Sequence, residues 1–367
     1  MTDARVWLER IHALDLRAPT RIMNVCGGHE RAIGMAGLRA ALPEPIELIP
    51  GPGCQVCVCP EEAVHEAIRL ATSEPVTLVT FGDMLRVPVN VPRGDIRSLE
   101  EARANGADVR PIASPLDAVR IARAAPDRPT VFFAAGFETT TAPVAAMLAQ
   151  GVPDNLSVLL AARLTWPAVA MLLDTGRARF DALIAPGHVA TVMGPEEWDF
   201  VPQRHGIPAA IAGFTPDSLL AAIFAVLRQR ADGRCALENC YPEAVRPGGN
   251  PAARRQLATV MDVVDAPWRG IGVIPGSGFA LRQAYRGQDA EARYPASPGT
   301  RRHAGENPPG CDCASVVLGE IYPDQCRLFG RACRPNTPIG PCMVSDEGAC
   351  RIWWSTARRY AAHASVA

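Results

Sequence analysis

The chain has 367 residues, 48% of them apolar and 20% charged, with a formal net charge of −1. That length is enough for two or three domains with a sizeable core, and the charge balance gives no reason to look to nucleic acid or an anionic membrane. All 37 basic residues are Arg, so a P-loop lysine, a Schiff base and a lysine general base are excluded.

The first residues, Met1-Thr2-Asp3-Ala4-Arg5, lack the apolar stretch of a secretory signal, and no apolar run is long enough for a bilayer. A cytoplasmic location is expected. Residues 5–14 have helical character. Short β-branched or apolar runs then recur at Ile22–Val25, Ile46–Ile49, Val76–Thr80, Val109–Ile112, Val131–Ala135, Leu156–Leu160, Ala182–Ala185 and Ala209–Ala212. Ala- and Leu-rich stretches of helical length separate most of them, for example Ala63–Thr72, Leu116–Ala124, Pro143–Gln150, Pro167–Thr175 and Ser218–Arg230. This alternation predicts βαβ units and parallel sheets.

Eight strands fit two four-stranded sheets, and the stretch Arg93–Ser98 with Ser114-Pro115 reads as a boundary. The expected architecture is two similar parallel-sheet α/β domains, residues 1–114 and 115–230, facing a cleft. Residues 231–367 are rich in Pro, Gly and Cys with poor periodicity, and are expected to form a smaller C-terminal iron–sulfur domain held together partly by its cluster. Residues 295–309 read as an exposed loop.

Ligands of open parallel sheets bind beyond the carboxyl ends of the strands. The unusual residues fall there: Cys26-Gly27-Gly28-His29-Glu30 after the first strand, Gly51-Pro52-Gly53-Cys54-Gln55-Val56-Cys57 after the second, Gly82-Asp83 after the third. Later strands lead to Gly136-Phe137-Glu138-Thr139-Thr140 and Pro186-Gly187-His188. Cys26 and His29 are a soft and a borderline donor that suit iron or zinc. Cys54 and Cys57 open a short helix, where a thiolate is favoured; a redox dithiol is the leading reading, with a metal half-site or two buried thiols as alternatives. Asp83 and Glu138 read either as acidic site residues or as helix caps, and Thr139 and Thr140 as caps. His188 reads as a ligand, a base or a hydrogen-bonded loop residue.

The twelve cysteines form three groups, and in a reducing compartment such clustering points to metal or redox work. The last group is the strongest signal: Cys313, Cys326, Cys333 and Cys350 stand in C-x12-C-x6-C-x16-C spacing. Four thiolates in Pro/Gly-studded sequence suit a cubane cluster, whereas structural zinc favours close Cys pairs; zinc stays open as the alternative. Cys311 and Cys342 are extra thiols able to replace a ligand or act as a redox partner. Cys235 and Cys240 read as structural.

Several of these motifs together resemble the HypD family of hydrogenase maturation proteins. They are Cys26-Gly27-Gly28-His29, Gly51–Cys54 through Cys57-Val58, Thr80–Pro88, Gly136–Thr140, Val273–Gly278 and Gly340–Cys350. The resemblance implies a scaffold that works with a HypC-type chaperone, holding an iron ion while two cyanides and one carbon monoxide are attached. HypE would supply cyanide, and the group would pass to the large subunit of a [NiFe]-hydrogenase. Carried onto this sequence, Cys26 binds the iron with His29 close by, and Cys54 and Cys57 form the redox pair. Cys313, Cys326, Cys333 and Cys350 hold a [4Fe–4S] cluster, and Asp83 and Glu138 serve as proton donors or supporting partners. An iron–sulfur thiol–disulfide oxidoreductase acting on another substrate is the alternative. Two departures stand out: Glu30-Arg31 where the family has Thr-His, and Gln55 and Cys59 where it has Pro and Thr.

Overall fold

The computed structural model describes residues 3–16, 18–296 and 307–364. All eight expected strands are present: β1 (Thr20–Asn24), β2 (Ile46–Pro50), β3 (Thr77–Phe81), β4 (Val109–Ile112), β5 (Thr130–Gly136), β6 (Leu156–Ala162), β7 (Ala182–Pro186) and β8 (Ala209–Ala212). A short β9 (Leu237–Asn239) follows, then a hairpin of β10 (Met261–Trp268) and β11 (Gly272–Leu281). The strands form two parallel sheets, one in the order β2-β1-β7-β8-β9 and the other β4-β3-β5-β6.

Both sheets are covered on both faces, and successive residues of a strand enter different cores. In the five-stranded sheet Ile22, Leu48, Ile184 and Ala210 pack with Leu219 and Ile223 of the helix Pro216–Ala231. Their neighbours Met23, Ile49, Leu183 and Ala209 pack with Val169, Leu172 and Trp198. In the four-stranded sheet Leu78, Val131 and Phe133 face Val64 and Ile68 of the helix Glu61–Ser73, while Val79, Phe132 and Ala134 face Ala118, Ala122 and Leu148.

The division at residue 114 does not follow this pairing. The chain leaves the first sheet after β2, builds all of the second from β3 to β6, and returns at β7, which pairs with β1. The boundary therefore falls inside the second sheet's run of strands. Ser114-Pro115 begins a helix, Pro115–Ala124, with Ser114 and Asp117 in a capping box and Pro115 in the first turn.

The described residues of 231–367 do not gather around a core of their own. β9 extends the first sheet beside β8. The hairpin touches the end of β6 through an Arg163–Gly278 bridge. Trp268, Val316, Cys333, Met343 and Cys350 share one core with Val64, Leu78 and Phe133. Most of the loop expected over residues 295–309 lies outside the described residues.

The helix Ala349–Ala364 returns the C-terminus to the first sheet. Its anchor is Glu30, buried in the helix Gly27–Ala36, which accepts from Asn24 Nδ2 at 3.0 Å, Trp353 Nε1 at 2.8 Å and Arg39 Nη2 at 2.7 Å. The Arg39 guanidinium also lies 5.1 Å from the Trp353 ring centre. Removing one partner of a buried ion pair leaves the other uncompensated. Glu30→Ala is expected to cost about 3 kcal/mol, the low end of the range because Arg39 keeps a quarter of its side chain in water. Urea denaturation at neutral pH checks this.

Candidate functional site

In the first sheet the strand order reverses direction between β1 and β7; in the second it reverses between β3 and β5. Such switch points open a crevice at the strands' carboxyl ends. Cys26 follows β1 and His188 follows β7; Asp83 follows β3 and Glu138 follows β5. Topology thus places each expected residue beside a crevice.

The loops after β1 and β2 are pressed together. The Gly27 N–H donates to the Gly53 carbonyl at 2.9 Å, and a Cβ on Gly53 would fall 2.4 Å from the Cys26 backbone. Only glycine permits that approach. Cys26 occupies the N-cap position of the helix Gly27–Ala36 and is partly exposed. The packing around its thiol pushes its pKa up to about 12, against the N–H groups of His29 and Gly28, which favour the thiolate. A positive ion at the sulfur would reverse that balance.

His29 is fully buried. Its Nε2 donates to the Ala212 carbonyl at 3.0 Å, which leaves Nδ1 as the unprotonated nitrogen, buried and without a partner. Burial lowers its pKa to about 4, so the ring is neutral at physiological pH and its Nδ1 lone pair is free for a metal. His188 is exposed and stacks on Phe214 at 3.9 Å between ring centres, and Phe214 in turn lies 4.9 Å from His29.

Cys54 and Cys57 are joined as a disulfide, at the start of the one-turn helix Gln55–Val58. Gln55 reaches across to the other sheet: its Oε1 accepts from the Phe137 N–H at 3.4 Å and from Thr140 Oγ1 at 3.1 Å. Thr140 therefore bridges rather than caps. The N-cap residue of the helix Glu138–Ala149, Phe137, offers no side-chain cap, and the Glu138 carboxyl accepts from its own N–H in the first turn. Glu138 is wholly buried, and its carboxyl binds the N–H and hydroxyl of Thr165 at 2.6 and 2.7 Å. Burial raises its pKa to about 7. Asp83 is half-buried, and burial raises its pKa too, with Asp346 contributing in the same direction.

Three cavities bring part of this set together; His29, Asp83 and Glu138 line none of the three. A wider one is lined by Cys26, Gln55, Thr139, Thr140, Thr165, His188, Phe214 and Glu347, and so spans both sheets. A narrow one is lined by Cys26, Cys54, Cys57, Glu347, Ala349 and Cys342. The third is lined by all six C-terminal cysteines, Cys311, Cys313, Cys326, Cys333, Cys342 and Cys350, and walled by Leu328, Phe329 and Met343. Cys342 lines both the second and the third.

Within the third cavity Cys311, Cys313, Cys342 and Cys350 stand close enough to act on one another's thiols, and the Cys350 N–H donates to Cys342 Sγ at 3.2 Å. The Ile339 N–H donates to Cys333 Sγ at 3.4 Å. Among the described residues no three His, Cys, Asp or Glu side chains stand in an arrangement that holds a single metal ion. The donor set nevertheless fits an iron–sulfur cluster: sulfur only, in an apolar wall, with neither carboxylate nor imidazole among its lining residues. Cys235 and Cys240 line none of the three.

A family model described as HypD, Hydrogenase formation hypA family, matches residues 2–357. The chain is 42% identical over 343 residues to the hydrogenase maturation factor HypD of Rhodobacter capsulatus, covering 92% of this chain and 89% of that protein. It is 40% identical to the HypD of Azotobacter vinelandii over 99% of this chain and 97% of the other. With the HypD of Escherichia coli K12 it shares 39% identity, covering 92% and 89%. The chain belongs to the HypD family. Its general role is therefore in hydrogenase maturation.

Within that HypD frame the departures acquire places. Glu30 lines the narrow cavity beside Cys26, but its carboxylate is taken up by Asn24, Arg39 and Trp353, so it anchors the C-terminal helix; Arg31 is an exposed residue 3.8 Å from Asp346. Gln55 ties the disulfide turn to the opposite sheet. Sequence reasoning assigned no role to Glu347, which lines two cavities; a Cβ on Gly27 would meet its backbone and Cβ at 2.5 Å. Its presence in the run Gly340–Cys350 was the available signal.

Glu138 gives the site a pH signature. A carboxyl whose folded pKa lies near 7, above its unfolded value, stabilises the fold most at low pH and loses that contribution as pH rises from about 4.5 to about 7. Glu197, raised to about 8 by burial and by Glu138, extends the decline. Thermal melts from pH 4.5 to 8 are expected to show a flatter profile in Glu138→Gln than in wild type.

Proposed function

We propose that this chain is a redox-active scaffold for [NiFe]-hydrogenase maturation. In this reading it holds one iron ion at Cys26, with His29 close by, while two cyanides and one carbon monoxide are attached. A HypC-type chaperone shares the iron and HypE delivers cyanide, in the cytoplasm. No helix among the described residues is long and apolar enough to cross a membrane, which fits a complex assembled from freely diffusing partners.

The observation that carries the reading is the shared wall at Cys342. Three groups of residues far apart in sequence meet there: the iron-site cysteine, the disulfide and the six-cysteine cavity. Cys313, Cys326, Cys333 and Cys350 are the cluster ligands in this reading, which leaves Cys311 and Cys342 as free thiols beside them. A [4Fe–4S] cluster bound there supplies single electrons at low potential.

The remaining roles belong to the chain's own groups. Cys26 offers a sulfur ligand, and the neutral His29 offers a bare Nδ1. The Cys54–Cys57 disulfide takes up two electrons and two protons to become a dithiol, and in that form reduces what is bound at Cys26. Transfer of cyanide from a thiocyanate to iron needs such a reduction. Glu138, titrating near neutrality, stores a proton one residue back from the cavity, bonded to Thr165, which lines it. Gln55 holds the disulfide turn against the opposite loop.

The test combines two variants, purified anaerobically with partner proteins. Wild type is expected to carry about four irons per chain, with the Mössbauer signature of a cubane. In complex with a HypC-type partner it should also show cyanide and carbonyl infrared bands. Cys26→Ala should lose those bands and hydrogenase maturation while keeping the brown cluster; Cys326→Ser should lose the cluster. Stoichiometric zinc in place of iron, or maturation that survives Cys26→Ala, sinks the reading.

A further inference from the structure

Two guanidinium groups are buried near the thiols with no carboxylate of the described residues at ion-pair distance. Arg269, 1% exposed, follows β10. Its Nη2 donates to the Pro88 carbonyl at 2.7 Å, but Nε and Nη1 have no partner. Arg163, 6% exposed, follows β6 and donates only to carbonyls, Pro267 at 3.0 Å and Ala162 at 2.8 Å. No carboxylate of the described residues stands within 4.0 Å of either guanidinium.

An unpaired buried cation costs several kcal/mol, so a fold that keeps two of them close together calls for an anion that is present in some working state. The nearby groups are sulfurs. The chain neighbours of Arg269, Trp268 and Gly270, pack against the cavity's segment, Trp268 in one core with Cys313, Cys333 and Cys350 and Gly270 against Ala314, and Arg269 acts electrostatically on Cys59, favouring the thiolate. Arg163 acts on Cys59 in the same sense. Glu62 and Asp83 act on Cys59 in the opposite sense and more weakly, and Glu62 also acts on Arg163, favouring its charge. The Arg269 N–H binds the Val58 carbonyl at 3.1 Å, which fixes the residue against the turn that carries Cys57 and Cys59. Arg269 therefore stands between the disulfide turn and the six-cysteine cavity, with two donor nitrogens, Nε and Nη1, unpartnered.

We propose that Arg269, supported by Arg163, is the fixed counter-charge for electrons held in the six-cysteine cavity and passed to the Cys54–Cys57 pair. The proposal rests on the redox reading above. Each electron entering the cavity from a low-potential one-electron donor adds one negative charge to a buried, apolar chamber. Two electrons then break the Cys54–Cys57 bond, and two protons complete the thiols. A permanent cation with unused donors offsets the charge before the protons arrive. It is a positioning residue: it binds neither iron nor substrate.

The test is a potentiometric titration of the anaerobic holoprotein, with dithionite as donor and electron paramagnetic resonance as readout. Arg269→Gln should lower the equilibrium constant for cluster reduction at least tenfold, a shift of about 59 mV to more negative potential for a one-electron couple. Arg269→Lys keeps the charge and should recover most of that shift, which a merely structural role would not predict. Arg163→Gln should shift the potential in the same direction by less. A cluster-bearing Arg269→Gln protein with wild-type potential overturns the proposal. If that variant loses its cluster, an unchanged potential in Arg163→Gln overturns it instead. A wild-type chain without a cluster fails the functional reading first, and this assignment with it.

Discussion

The contact between the Cys26 backbone and Gly53 governs the rest of the site. Hydrogen bonds from Gly27 to the Gly53 carbonyl and from Gly51 to the Asn24 carbonyl draw two strand-end loops together, and the absence of a side chain on Gly53 lets them touch. Without that approach Cys26 and the Cys54–Cys57 pair would end neighbouring strands at ordinary sheet spacing, facing separate patches of solvent. With it, they line one narrow cavity. The C-terminal segment then closes the far side with Glu347, Ala349 and Cys342, and Glu30 holds the helix that follows through Trp353.

Much of this was legible in the sequence. Strand positions were, because β-branched runs between Ala-rich helices report burial on both faces. Strand-end chemistry was, because parallel sheets send their loops to one side. Which strands pair was not. β7 could have continued the sheet of β5 and β6; it joins β1 instead, and nothing local to Ala182–Pro186 says so. The hairpin was hidden for a different reason. Its register shifts between Val264 and Ala266, and Pro267, Pro275 and three glycines of β11 erase the alternation that marks a strand.

The departures from the family motifs show how residue type and neighbourhood interact. Glu30 looked like a change at a metal site, yet its carboxylate is consumed by Asn24, Arg39 and Trp353. Gln55 looked like a change to a dithiol, yet its amide reaches away from the sulfurs to Phe137 and Thr140. In both cases a longer polar side chain joins segments that would otherwise meet only through backbone and apolar contact. Cys59 is different: it faces inward, between two cations, and has no polar partner beyond a long contact to the Pro60 carbonyl.

The interleaved connectivity of the two sheets has a kinetic consequence. β1 and β2 can pair as soon as both exist, but β1's other edge stays open until the whole second sheet has been made and β7 arrives. Closing a loop of that length is slow, and every strand of the second sheet lies within it. The crevice beside Cys26 is bounded by β1 and β7, so it is among the last parts of the molecule to take shape. On a growing chain, the thiols that follow β1 and β2 therefore emerge early and wait, unshielded, for the walls that will enclose them.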